Sequence, residues 1–146
     1  MDAARNAYIR AAEFAPGLDG LAFSLATLDL LQGQPSRALA HYERISLGWM
    51  RLTGIALAQH DLGHTKEAQE ALDEIGRKDA GSYAPYQSAE VYAHRLDLDR
   101  AFEWLERAYV FHDTGLTLVK SDPLLRNLRG DPRYRALLKK MNLPVD

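Results

Sequence analysis

The chain contains no cysteine, which excludes a disulfide scaffold and thiol chemistry and accords with a reducing compartment. No apolar run approaches the roughly 20 residues a helix needs to cross a bilayer, and the amino terminus lacks the basic, apolar and small-residue order of a secretion signal. A cytoplasmic location without membrane attachment is therefore expected. Also missing are a glycine-rich phosphate loop, a nucleophile elbow and any serine, histidine and acid spacing that suggests a triad. No enzyme activity, catalytic residue or cofactor is expected. The 146 residues, 47% hydrophobic with a net charge of -2, suffice for a single domain of one core's size.

What the sequence does contain is a repeat. The pattern Ala-x3-apolar-x2-apolar occurs as Ala4/Tyr8/Ala11, Ala38/Tyr42/Ile45, Ala68/Leu72/Ile75 and Ala101/Leu105/Ala108, with lead alanines 34, 30 and 33 residues apart. Spacings of four and three place each set on one helical stripe, and the alanine lets a neighbouring helix approach closely. Upstream of three sets lies a partner helix marked by Leu25-Ala26, Ile55-Ala56 or Ser88-Ala89. Gly33 and Gly63 each stand five residues before the next alanine, where glycine suits a tight reversal between antiparallel helices. The third such position holds Leu96, followed by Asp97, a residue able to cap the next helix. The middle interval is short by about one helical turn between Ile45 and Ile55, so a trimmed helix end around Ser46 to Trp49 is expected.

Helix, glycine turn, helix at a period near 34 resembles the tetratricopeptide repeat (TPR) family. The resemblance implies an all-α, TPR-type α-solenoid: a half repeat over 1–16 closed by Pro16, repeats over 19–48, 49–81 and 82–112, and a capping region over 113–146. Ala22, Leu52 and Pro85 stand where the family often places a bulky aromatic. The cap reads as two short helices opening at Asp122-Pro123 and Asp131-Pro132, each an acidic N-cap followed by proline. The stretch from Ser121 to Tyr134 is similar to the closing segment of TPR regions in bacterial regulators, where such arrays follow a cyclase, kinase or winged-helix domain. Beginning on half a repeat, the chain reads as part of something longer.

The resemblance further implies a protein-interaction role, with a protein or peptide segment held in a concave groove lined by the first helix of each repeat. Carried onto this chain, the lining is Gly20, Phe23, Thr27 and Leu30, then Met50, Thr53, Leu57 and His60, then Tyr83, Tyr86, Glu90 and Ala93. Phe23, Met50, Leu57, Tyr83 and Tyr86 are the expected partner-binding residues. The basic clamp with which some members hold a terminal carboxylate is missing, because Phe23, Thr27, Gly54, Tyr83 and Gln87 occupy its sites. Alternatives are a regulatory or scaffolding role inside a larger bacterial regulator, and a homodimer formed through the exposed stacking face of the half repeat.

Other features have plainer explanations. His60 and His64 are spaced for chelation, but Gly63 lies between them and no third ligand is placed by sequence, so no metal site is expected. Arg129-Gly130-Asp131 spells an adhesion tripeptide but reads as a helix stop and N-cap. Glu103 with Glu106, and Asp73 with Glu74, read as solubilising surface charge. Charge is uneven: residues 1 to 119 carry 11 basic and 17 acidic side chains, and residues 120 to 146 carry 7 and 3. The basic run Arg126, Arg129, Arg133, Arg135, Lys139 and Lys140 has one interleaved aromatic, Tyr134, which favours a solvated face over a nucleic-acid partner.

Overall fold

The computed structural model describes residues 2–15, 17–78 and 83–145, with the backbone alone for 2, 4 and 12. Every element among them is helical. In order they are α1 (Asp2–Phe14), α2 (Asp19–Leu31), α3 (Pro35–Tyr42), α4 (Gly48–Asp61), α5 (Thr65–Gly76), α6 (Pro85–His94) and α7 (Leu98–Phe111). Two 3-10 segments follow, Thr114–Leu118 and Pro123–Leu128, and then α8 (Pro132–Lys140). The chain divides into two compact units, Met1–Tyr83 and Ala84–Asp146. The stop expected at Pro16, the repeat start expected at Ser82 and the side chain of Ala4 lie outside the described residues.

Three helix pairs, α2/α3, α4/α5 and α6/α7, are closed by the same reversal. After α2, Gly33 takes φ +73° and the Gln34 amide donates to the Asp29 carbonyl at 3.0 Å. After α4, Gly63 takes φ +79° and His64 donates to Gln59 at 2.9 Å. After α6 the left-handed position is filled by Leu96, at φ +62°, and Asp97 donates to Tyr92 at 3.0 Å. Each reversal satisfies a carbonyl that the helix end would otherwise strand. The third turn thus keeps the geometry that its sequence departs from. Asp97 also caps α7, accepting from the Arg100 amide at 3.3 Å.

In the first unit the alanine stripes face inward. Ala38, Tyr42 and Ile45, and Ala68, Leu72 and Ile75, are all buried, as are Ala26 and Ala56 on the preceding helices. Tyr8 and Ala11 of α1 are half-buried. The Tyr42 ring packs on Gly54 of α4 so closely that a Cβ there would come within 2.0 Å of it. The Thr27 hydroxyl donates to the Phe23 carbonyl, so the Tyr42 hydroxyl, 2.9 Å away, donates to Thr27. The short interval arises in α3, which has 8 residues against 12 in α5. It ends at Tyr42, slightly earlier than the sequence spacing suggests. The freed amides of Ser46 and Leu47 donate to the Asp19 carboxylate at 3.1 and 2.7 Å, which ties the loop to the start of α2.

In the second unit Ala101, Leu105 and Ala108 of α7 are buried beside Ala89 of α6. Asp122 and Asp131 act as expected, accepting from Leu124 at 2.8 Å and from Arg133 at 2.9 Å. The first cap element is a 3-10 segment rather than an α-helix. A further one, Thr114–Leu118, is capped by Asp113 through Gly115 at 2.8 Å.

Two substitutions test these constraints. Leu96 is 68% exposed, so Leu96→Gly removes left-handed strain while losing little packing. It should stabilise the chain by about 1 kcal/mol, read as a higher urea midpoint at unchanged slope. Gly54→Ala must displace the Tyr42 ring and should cost roughly 1–3 kcal/mol in the same assay; an unchanged midpoint would contradict the packing described.

Candidate functional site

The expected groove residues separate sharply by burial. On α2 and α4, which lie side by side, Thr27, Leu30, Thr53 and Leu57 point into the core, whereas Phe23 and Met50 are half-buried and Gly20 and His60 exposed. Tyr83 is half-buried. Leu57 and Tyr86 are fully buried, so neither presents a side chain to a partner, a correction to the binding set read from sequence. Leu57 lies in the interior of the first unit. Tyr86 is enclosed by the chain's own cap.

That enclosure is specific. The Gly115 backbone lies against the Tyr86 ring, so closely that a Cβ would come within 2.6 Å, and the Tyr86 hydroxyl donates to Asp122 Oδ2 at 2.9 Å. The Tyr86 amide donates to Asp113 at 3.1 Å, and Asn127 donates from its side chain to the Ala93 carbonyl at 3.1 Å. The second 3-10 segment packs along α6, and Glu90 and Ala93 are buried on that helix. The α6 positions expected to line a groove are therefore core.

Within this cluster lies an unusual pair of acids. Glu90 is buried and hydrogen-bonded to Asp122, and its Oε2 has no hydrogen-bond partner among the described residues. Burial, then the Asp122 charge and hydrogen bond, and then Asp113 raise the Glu90 carboxyl well above its ordinary range. Desolvation, reinforced by Asp122 and Glu90, drives the Tyr86 hydroxyl far upward, which keeps it a donor. Two carboxyls in one dry site cannot both ionise cheaply.

The first unit contains the opposite arrangement. Asp29, fully buried on α2, lies 2.6 Å from Arg5 of α1, 3.0 Å from His41 Nδ1 and 3.4 Å from Arg37 of α3. Arg5 also donates to Gln32 at 2.7 Å, so α1 is fastened to α2 by charge-assisted bonds. Neither buried acid is expected as such from the sequence: Glu90 is read there as lining the groove, and Asp29 is not singled out. Asp29 could have been found as the one acid deep in the apolar run from Leu21 to Leu31; Glu90 carries no local signal.

Among the described residues no three histidine, aspartate or glutamate side chains converge to hold a metal. His64 Nδ1 is 2.7 Å from Gln59 Oε1, a contact within its own turn. None of the described helices is long and apolar enough to cross a membrane. No protein-family model, curated protein or solved structure matches the chain.

The acid pair gives a signed pH dependence. Folded Glu90 keeps its proton above the pH at which the unfolded chain loses it, so the folded state binds more protons and stability falls as pH rises from the ordinary glutamate range. The slope approaches about 1.4 kcal/mol per pH unit until the raised pKa is passed. Glu90→Gln, which cannot ionise, should remove this slope. Urea unfolding of both proteins from about pH 5 to about pH 8 decides it, since parallel profiles would contradict a protonated Glu90.

Proposed function

We propose that the chain is a TPR-type, non-catalytic interaction module whose first unit docks a protein or peptide segment on the surface carrying Phe23 and Met50. The observation that supports this most strongly is the triplicate helix pair. Alanine-led stripes and one left-handed reversal recur at α2/α3, α4/α5 and α6/α7, which is how repeat proteins build a preformed surface. Such a surface leaves most of the ordering entropy on the partner's side.

The Phe23 ring lies 5.2 Å from the Tyr42 ring, held by a side chain that is itself anchored on Thr27. A half-buried aromatic so supported offers a rigid apolar anchor at low entropy cost. Met50 on the neighbouring helix supplies an adaptable apolar surface. With Leu57 and Tyr86 committed to the interior, Phe23, Met50 and the half-buried Tyr83 remain of the expected set, and the first two carry the binding reading.

One further observation favours self-association. Ile9 and Phe14 of α1, and Leu18 just beyond it, are large apolar side chains left exposed, Phe14 at 89%. A second copy could cover them in an isologous contact.

The two readings separate by experiment. A Phe23→Ala/Met50→Ala chain, shown by circular dichroism to remain helical, should lose a prey captured by the wild type from source lysate, with affinity reduced at least about tenfold. Equal capture by both would remove this surface from consideration. Sedimentation of wild type and Phe14→Lys tests the homodimer: a concentration-independent monomer mass for the wild type would eliminate it.

A further inference from the structure

The chain between α7 and α8 runs back across α6, and both of its ends are fixed without the help of α6. At one end His112 takes φ +57°, and the Asp113 amide donates to the Ala108 carbonyl at 2.9 Å, which closes α7. At the other, side chains hold α8 on α7: Arg133 lies 2.7 Å from Asp99, and Lys140 pairs with Glu106. Residues 113–131 therefore form a strap tethered at two points. Its regular structure is two 3-10 segments of 5 and 6 residues, whose hydrogen-bond geometry is poorer than that of an α-helix.

Where the strap crosses α6, its contacts gather around one pair of carboxyls. Asp122 accepts from the Tyr86 hydroxyl at 2.9 Å and from the Leu124 amide at 2.8 Å, and it is hydrogen-bonded to Glu90, which is only 6% exposed. A hydrogen bond between two carboxyls needs a proton on one of them, because ionised carboxylates only accept. The packing around α6 comes from α7 and the two 3-10 segments. The strap brings acids, and the charges acting on Glu90 are Asp122 first and then Asp113. From α7, Arg100 is engaged over the Tyr92 ring at 5.6 Å and with Asp97 at 3.6 Å. On α6 itself His94 and Arg95 stand at the carboxyl end. The Tyr86 amide on Asp113 and the Asn127 side chain on the Ala93 carbonyl, both at 3.1 Å, seat the strap on the same face.

We infer that residues 113–131 are a proton-latched strap: when Glu90 and Asp122 lose their shared proton the strap lifts from α6, uncovering Tyr86, Glu90 and Ala93, while α7 and α8 stay joined. Loss of the proton breaks the carboxyl bond and sets two like charges together in a buried site. Lifting the strap hydrates both. Closing takes the proton up again, as linkage requires. The latch places the first opening in the strap rather than in the whole second unit, and it does not depend on the interaction role of the Phe23 and Met50 surface.

Amide hydrogen exchange of the full chain, followed by NMR from about pH 5 to about pH 8, tests this. The reporters are the amides of Tyr86, bonded to Asp113, and Leu124, bonded to Asp122. Hydroxide catalysis alone speeds exchange about tenfold per pH unit, and an opening that releases one proton makes the dependence about a hundredfold. Tyr86 and Leu124 should show the steeper dependence, with a weaker response to urea than the α7 amides of Leu105 and Ala108. Glu90→Gln should return both to about tenfold per pH unit. A tenfold dependence in the wild type would overturn the latch, as would a hundredfold dependence that survives Glu90→Gln. Equal rates and equal urea response at Leu105 and Ala108 would show that the unit opens only as a whole, and would overturn the strap. The wild type alone gives two of these readings, so they stand even if the variant fails to fold.

Discussion

In each unit a tyrosine ring rests against a glycine backbone, and much of the surrounding structure depends on that close approach. Tyr42 needs Gly54 and Tyr86 needs Gly115, because a single methyl group would occupy space the ring already fills. Once the ring is seated, its hydroxyl must find a partner in the interior, and the partner defines the next layer. In the first unit it is Thr27, which joins α3 to α2. In the second it is Asp122, which brings the cap onto α6. A large residue and an absent side chain therefore act as one unit of packing, and the polar contacts follow from where the ring ends.

The two buried acids show two ways of removing a charge from water. Asp29 has basic groups within reach on α1 and α3, and the cost of burying it is met by ion pairs. Glu90 has acids, a phenol and carbon for company, and the lower-cost solution is to keep its proton. The first arrangement fastens α1 by electrostatic attraction, and the second allows the cap to sit tightly on a helix without a counter-ion among the described residues. Each choice follows from which side chains the neighbouring elements bring.

Local periodicity made the helical elements and the three pairs legible, because alanine stripes and glycine turns are properties of short stretches. It also located the N-caps Asp97, Asp122 and Asp131, whose roles depend on the residues immediately after them. What it could not reveal were contacts between distant segments: Gly115 under Tyr86, Asp122 beside Glu90, Arg5 on Asp29. The same limit explains the mixed outcome at the expected groove. Phe23 and Tyr86 occupy equivalent places in their repeats, yet one is half-buried and the other fully buried, and periodicity does not distinguish the half-exposed edge of a stripe from its centre. Leu96 is a different case, in which the helical reversal imposed its left-handed geometry on a residue that does not favour it.

The protonated Glu90 also changes what folding is as a chemical reaction. Just above the ordinary glutamate range the unfolded chain has mostly a glutamate anion at this position, and the folded chain binds more protons there. Formation of the second unit therefore takes a proton from solution, and unfolding returns it to the buffer. The heat measured for unfolding then includes the ionisation enthalpy of that buffer, so calorimetry in phosphate and in Tris would report different enthalpies for the same conformational change.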